Sequence, residues 1–240
     1  MMLRVVERDV QNAHPGDTAE TLITVLVTGF GPFPGAPFNP TGALARRLAR
    51  RRRPALASVR CIAHVFRTSY AAVDHELPRL LDLHRPDVLL IFGLASRTPW
   101  LRIETRARNA VSRLVPDAGG RLTRTNRIRP GEAAVLTGRA PFQRLLAAAR
   151  TARVPARLSR NAGAYLCNYV YWRGSEAGVS NAPIPLVAFV HVPLVRRGQR
   201  PPRTPGSSGT QRKLTLVDLG RAGEAILLAL VTAARHAKPA

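Results

Sequence analysis

Four runs of apolar and β-branched residues divide the chain into segments of mixed polarity. The runs cover 22–28 (LITVLVT), 59–65 (VRCIAHV), 87–92 (DVLLIF) and 185–192 (PLVAFVHV). Near-continuous apolar runs of this length are typical of strands that are buried on both faces of a parallel sheet. Two weaker segments, 101–107 and 156–159, are expected to add short strands.

Helical patterns occupy the intervals between these runs. Two helix starts carry capping residues, Asn39 with Pro40 for the first helix and Thr215 with Asp218 for the last. Further helices are predicted over 70–81, 141–152 and 166–173. Pro78 is expected to kink or restart the first of these. Because strands alternate with helices, the sequence predicts an α/β fold, a single three-layer α/β/α domain with a mostly parallel central sheet.

Two segments fall outside this pattern. Residues 1–20 are polar and without a clear period, and they are expected to be a flexible extension of a domain over 21–240. Residues 196–210 are rich in Arg, Pro, Gly and Ser, which is typical of a mobile loop. No apolar run approaches the roughly 20 residues of a membrane span, and residues 1–20 lack the apolar stretch of a signal peptide. With only two cysteines no disulfide framework is available, and a cytoplasmic protein is expected.

The net charge of +23 raises nucleic-acid binding as a function class. Only Lys213 and Lys238 are lysines, and a GC-rich coding sequence would produce the same excess of arginine whatever the function. The arginines are spread along the chain, and the one dense run, over 46–53, is expected to be a solvated helix face and end. Nucleic-acid binding is therefore the less favoured alternative.

Cys167 and His191 are the strongest candidates for chemistry. Cys167 follows a glycine-containing turn at the start of the helix predicted over 166–173. The unpaired N–H groups and partial positive charge of a helix N-terminus favour a thiolate and offer an oxyanion hole. His191 lies at the carboxyl end of a buried strand, where open α/β sheets place their active sites. The alternatives are a buried structural thiol and a satisfied core or edge histidine.

Glu104 is the candidate for orienting such a histidine, because it is the only carboxylate between positions 88 and 116. The alternative is a surface ion pair with one of the neighbouring arginines. No two His, Cys, Asp or Glu residues near Cys167 or His191 have metal-ligand spacing, so no metal is expected. The loop over 29–35 lacks the signature of a phosphate-binding loop, and no cofactor is expected.

Four sequence blocks occur in a specific order: TGFGPFPGAPFNPT at 28–41, GLASRTPWLRIETRARN at 93–109, SRNAGAYLCN at 159–168 and FVHVP at 189–193. Together they resemble the pyroglutamyl-peptidase I (pyrrolidone carboxyl peptidase) family of cysteine peptidases, over about residues 25–193. The resemblance implies a cofactor-free α/β/α enzyme. Its partners would be peptides with an N-terminal pyroglutamate, whose first residue it would remove.

By this resemblance, Cys167 matches the nucleophile, His191 the general base and Glu104 the residue that orients the imidazole. The pyroglutamyl pocket would be formed by residues of the first loop, a strand end and the approach to the nucleophile: Phe30, Gly31, Phe33, Gly93, Leu94 and Tyr165. A flat lactam ring suits an aromatic sandwich. Backbone groups of the first loop and of the strand end are expected to pair with the lactam N–H and C=O.

The chain departs from the family pattern at four places. Tyr169 follows Asn168 where the family often has His, and an arginine expected after the second block is matched only approximately by Arg113. Ser96-Arg97-Thr98 stands where the family has Gly-Gly-Arg, and Tyr165 stands where phenylalanine is usual. These departures leave a catalytically altered relative as an alternative. The sequence leaves open the physiological peptide and whether the chain forms a homo-oligomer.

Overall fold

The computed structural model describes residues 22–33, 35–177, 186–195 and 213–237, so the extension over 1–20 and the loop over 196–210 lie outside the described residues. The strands are β1 (Ile23–Phe30), β2 (Val59–Phe66), β3 (Val88–Leu94), β4 (Leu101–Glu104), β5 (Arg106–Arg108), β6 (Val135–Thr137), β7 (Ala156–Ser159) and β8 (Leu186–Val192). The helices are α1 (Pro40–Ala49), α2 (Tyr70–His84), α3 (Phe142–Thr151), α4 (Leu166–Ala177) and α5 (Leu216–Ala237).

The main sheet has the strand order β2-β1-β3-β8-β4-β7. Strands β2, β1, β3 and β8 run parallel, β4 is antiparallel to β8, and β7 is parallel to β4. Helices α1, α3 and α5 cover one face of this sheet, and α2 and α4 cover the other. The predicted α/β fold with a mostly parallel sheet is confirmed.

The apolar runs are continuous because each central strand is buried on both faces. In β1, Val25 and Val27 pack on the α1/α5 side, whereas Leu26 and Phe30 pack on the α2/α4 side. A strand with helices on only one side would alternate between apolar and polar residues. Here every residue of β1 is buried.

Two predicted elements differ from the structure, and one strand of the structure was not predicted. Helix α2 is continuous through Pro78, whose ring lies on the exposed side of the helix. The strand predicted over 101–107 is two strands, because after Glu104 the chain leaves the main sheet and β5 pairs with β6. Strand β6 was not predicted, since three partly exposed residues carry too little pattern to be recognised.

The end of β1 is joined to the start of α1 by one buried hydroxyl. The Oγ1 of Thr41 accepts from the N–H of Phe30 at 2.9 Å and lies 3.2 Å from its carbonyl oxygen. Asn39 caps α1 by accepting from the N–H of Thr41 at 3.1 Å, and its amide donates to Gly31 O at 3.1 Å. These bonds fix the loop that follows β1 against the first turn of the helix.

We expect Thr41→Val to lower the free energy of unfolding by about 1–3 kcal/mol, because it leaves the buried N–H of Phe30 without an acceptor. Urea denaturation followed by circular dichroism measures this loss. Thr137→Val at an exposed position of β6 is the matched control and should change stability by less than about 0.5 kcal/mol. Equal effects of the two substitutions would contradict this role of Thr41.

Candidate active site

Cys167 is the second residue of α4 and is partly exposed, whereas Cys61 is buried in the middle of β2. The turn before α4 contains Gly163, whose φ of +88° favours glycine, and the Asn161 side chain accepts from the N–H of Gly163 at 3.0 Å. The predicted position of Cys167 at a helix N-terminus is therefore found. Of the two thiols, only the one at the helix start can meet a ligand.

His191 is on β8, directly opposite Gly93 of β3. Its side chain is buried, its Nδ1 lies 2.8 Å from Oε1 of Glu104, and the nearby Cys167 raises the pKa of the ring. A Cβ at position 93 would lie 2.8 Å from the Sγ of Cys167 and 2.6 Å from the ring of Phe189. Glycine at this position therefore allows the thiol to sit against the end of β3.

Glu104 is fully buried, which excludes the surface ion pair as its setting. Its Oε1 also forms an ion pair with a guanidinium nitrogen of Arg102 at 2.8 Å, and its Oε2 accepts from the N–H of Asn161 at 3.2 Å. Because β4 is antiparallel to β8, Arg102 is opposite His191, and Glu104 is level with Phe189, deeper in the sheet. The reversed strand thus places the carboxylate beneath the histidine and away from solvent.

Cys167 and Glu104 raise the pKa of His191, and His191 lowers the pKa of Glu104. Burial alone would lower the pKa of His191, but the charge and hydrogen bond of Cys167, together with those of Glu104, raise it to about 9. Burial would likewise raise the pKa of Glu104, but His191 and, to a lesser extent, Ser159 and Arg102 hold it below its ordinary value. At neutral pH the ring is therefore an imidazolium beside a carboxylate, and an imidazolium is the partner that stabilises a thiolate.

Two of the three aromatic candidates, Phe30 and Tyr165, lie on the α2/α4 side of the sheet. Phe30 is buried against Phe66, with ring centroids 5.9 Å apart, and Phe33 is partly exposed in the loop after β1. Tyr165 packs edge-on against Tyr70 at 6.0 Å. The Tyr165 hydroxyl, which phenylalanine would lack, donates to Pro116 O at 2.9 Å.

The backbone N–H groups of the first loop are already used within the protein. Phe30 donates to Thr41, Gly31 donates to Phe66 O at 2.9 Å, and Phe33 donates to Ala36 O at 3.2 Å. These three N–H groups therefore have acceptors within the protein, and the pairing of the loop's backbone groups with the lactam N–H and C=O stays a prediction. The strand end at 93–94 likewise stays a predicted source, with Gly93 and Leu94 opposite His191 and Val192 of β8.

The residues Ser96 and Arg97 that depart from the family pattern lie beyond the end of β3 and are exposed. Their turn is closed by a bond from the N–H of Thr98 to Ala95 O at 3.2 Å. In the described part of the chain, neither side chain forms a hydrogen bond or ion pair with Cys167, His191 or Glu104. The departures thus affect the rim of the site and not its centre.

Sequence reasoning missed the residues that hold the cluster in place. Arg102 bonds to Glu104, to the hydroxyl of Ser159 at 3.1 Å and to the carbonyl of Asn161. Buried Asn168 accepts from the N–H of Arg108 at 2.9 Å and donates to its carbonyl at 2.7 Å, so it ties the first turn of α4 to β5. Asn168 had a signal in its position next to Cys167, but nothing distinguished Arg102 from the other arginines of its segment.

The described residues contain neither a cluster of side chains suited to a metal ion nor a helix suited to span a membrane. In the described ranges, no group of three or more His, Cys, Asp or Glu side chains is arranged to hold a metal ion. No helix in that part of the chain has the length and apolar character needed to cross a membrane.

The chain is similar to proteins of one family. A sequence profile described as pyroglutamyl peptidase matches residues 23–205. The pyrrolidone-carboxylate peptidase of Chromobacterium violaceum is 31% identical over 172 residues, which are 72% of this chain and 78% of that protein. The pyrrolidone-carboxylate peptidase of Pyrococcus furiosus is 28% identical over 186 residues, covering 74% of this chain and 88% of that protein.

Solved structures share the fold. The pyrrolidone carboxyl peptidase from Thermococcus litoralis superposes with a TM-score of 0.77 at 23% identity, over 90% of this chain and 96% of that one. Pyroglutamyl peptidase I from Bacillus amyloliquefaciens gives a TM-score of 0.74 at 23% identity, over 88% and 97% of the two chains.

We expect iodoacetamide to alkylate Cys167 and to spare Cys61 in the folded protein, because the first thiol is accessible beside an imidazolium and the second is 1% exposed. Mass spectrometry of tryptic peptides after timed quenching measures both rates. His191→Ala should slow the alkylation of Cys167 at neutral pH. Similar rates for the two thiols in the native state, with both reacting in denaturant, would contradict the activation of Cys167.

Proposed function

Because the chain belongs to the pyroglutamyl peptidase family, we propose that it hydrolyses the bond that follows an N-terminal pyroglutamyl residue of peptides. One observation carries this proposal: a histidine at a strand end is hydrogen-bonded to a buried carboxylate, and it lies close enough to a thiol at a helix N-terminus for that thiol to raise the pKa of the histidine. This is the arrangement of a nucleophile, its base and the group that orients the base.

In the proposed reaction, the thiolate of Cys167 attacks the pyroglutamyl carbonyl carbon. The N–H groups in the first turn of α4 have no acceptors within the helix and are the donors for the developing oxyanion. The imidazolium of His191 gives its proton to the leaving amine as the C–N bond breaks, and a thioester remains. Water then attacks the thioester, with neutral His191 as the base, and pyroglutamate and the thiolate–imidazolium pair are released.

Glu104 acts in this scheme by holding the ring, not by accepting the proton. Its carboxylate fixes Nδ1 of His191 as a donor and stabilises the imidazolium. Arg102 and the N–H of Asn161 keep the carboxylate in place. A carboxylate with several such partners stays ionised through the cycle.

The substrate's first residue has no charged amine, so an apolar aromatic pocket suits it better than a carboxylate would. We assign Phe30, Phe33 and Tyr165 to the sides of this pocket. Gly31 lies between the two phenylalanines, at the start of the loop after β1. Stacking alone would hold a proline ring equally well. Gly93 and Leu94 at the strand end are therefore the proposed source of the hydrogen bonds that select the lactam.

The test is release of a fluorophore from a pyroglutamyl amide by the purified protein. We expect Cys167→Ser to abolish turnover and Cys61→Ser, the matched control, to retain it. The prolyl amide should be cleaved at least about a hundredfold less efficiently, because two unpaired polar groups would cost roughly 1–3 kcal/mol each. Equal losses in the two serine variants would overturn the choice of nucleophile, and equal cleavage of the two amides would overturn the pocket.

The pH profile tests Glu104 separately. For the wild-type protein, kcat/KM should decline as the pH rises through about 9, where His191 loses the proton that the leaving amine needs. Glu104→Gln should move this decline to lower pH, because the carboxylate is one of the groups that raise the pKa of His191. It should also lower kcat. A variant with an unchanged alkaline limb and near-normal kcat would show that Glu104 does not orient the histidine.

A further inference from the structure

A cavity of about 720 Å³ is lined by segments that follow three strands of the main sheet, among them the strand that carries His191. Its walls are four short segments, at 35–38, 96–99, 193–195 and 213–214. None of the residues assigned to catalysis or to the pyroglutamyl ring is among them. Its size is within the range of ordinary small-ligand sites.

The cavity is at the edge of the sheet where the reaction would occur. Its first three walls follow β1, β3 and β8, so they lie beyond the carboxyl ends of three parallel strands. His191 is two residues before Pro193, and Gly93 is three residues before Ser96. A chain bound to Cys167 therefore reaches the cavity by crossing the strand ends.

The cavity and two of the three assigned aromatic residues lie towards opposite faces of the sheet, whereas the ring of Phe33 lies beside Gly35 of the cavity wall. Phe38, Val195 and Leu214, which line the cavity, belong to or pack on the core under α1 and α5. Phe30 and Tyr165 belong to or pack on the core under α2 and α4, together with Cys167. When the pyroglutamyl ring lies on the α2/α4 side, the part of the peptide after the scissile bond extends across the strand ends towards the α1/α5 side.

The charge of the cavity has one sign. Arg97 and Lys213 are exposed in its walls, and no Asp or Glu is among the described residues that line it. In the described ranges, neither cation forms an ion pair with a carboxylate. Phe38 and Leu194 give the same cavity an apolar wall.

We propose that this cavity binds the leaving part of the peptide and favours a carboxylate on it, through Arg97 and Lys213. The inference rests on the proposed function, since it names the class of pyroglutamyl peptide that the same site prefers. The carboxylate has two sources, an acidic side chain a residue or two beyond the scissile bond or the free C-terminus of a short peptide. Both present the same group to the same two cations.

The experiment compares pyroglutamyl-Ala-Glu amide, pyroglutamyl-Ala-Gln amide and pyroglutamyl-Ala-Lys amide as substrates of the wild-type protein. We expect kcat/KM to be about fivefold higher for the Glu peptide than for the Gln peptide at low salt, and lower for the Lys peptide, as for one charge pair near the surface. The Glu preference should shrink in about 1 M salt. A fourth peptide, pyroglutamyl-Ala-Gln with a free carboxylate, shows whether the C-terminus serves as the source.

Variants separate the cavity from the overall positive charge. Arg97→Gln and Lys213→Gln should each reduce the ratio of Glu to Gln hydrolysis towards one. Arg79→Gln removes one exposed charge from α2, on the opposite face of the sheet, and should keep the wild-type ratio. It is the matched control for a general attraction of acidic peptides to a basic protein.

Two results would overturn the inference: equal kcat/KM for the Glu and Gln peptides at low salt, or the same ratio in Arg97→Gln and Lys213→Gln as in Arg79→Gln. The uncharged Gln peptide distinguishes a failure of the proposed peptidase function from a failure of the proposed role of the cavity. If it is not cleaved, the proposed peptidase function fails. If it is cleaved without a preference for the carboxylate, only the assignment of the cavity fails.

Discussion

The buried carboxylate of Glu104 is the interaction on which the site depends. A charge removed from water must be paired, because its unpaired burial costs several kcal/mol. Glu104 meets this requirement with partners from three other places: His191 across the sheet, Arg102 on its own strand and the backbone of Asn161 before α4. The same bonds that neutralise the charge therefore fix the histidine and the turn that presents Cys167. Fold and site are stabilised by one set of contacts.

The direction of β4 makes this burial feasible. In a parallel arrangement, the carboxyl end of β4 would lie at the same edge as the end of β8, where solvent reaches it. As an antiparallel strand, β4 enters at that edge and runs inwards, so that Glu104 is beside Phe189 and beneath His191. Arg102 then occupies the position opposite His191, where its guanidinium reaches both Glu104 and the carbonyl of Asn161.

Much of the fold could be predicted from the sequence, because its signals are local. The central strands are continuous apolar runs, β7 was predicted with its observed limits of 156–159, and the capping bonds of Asn39 and of Thr215 with Asp218 are present. The reversal of β4 is a long-range event that no local pattern records, and it decides whether Glu104 is buried. For the same reason Arg102 could not be selected from its neighbours. Cys167, His191 and Glu104 were identified by their positions in the four sequence blocks. The pattern of apolar and polar residues alone had left their structural alternatives open.

The contact between the end of β3 and the thiol also has a stereochemical meaning. Gly93 leaves room for the Sγ of Cys167 but for nothing more, because even a single added carbon would lie 2.8 Å from the sulfur. The sheet edge therefore closes one side of the nucleophile, and an electrophile has to approach from the other. A planar carbonyl held by its ring can present only one of its two faces to such a sulfur. Each tetrahedral adduct would then form with a single handedness, and the oxyanion would always emerge in the same direction.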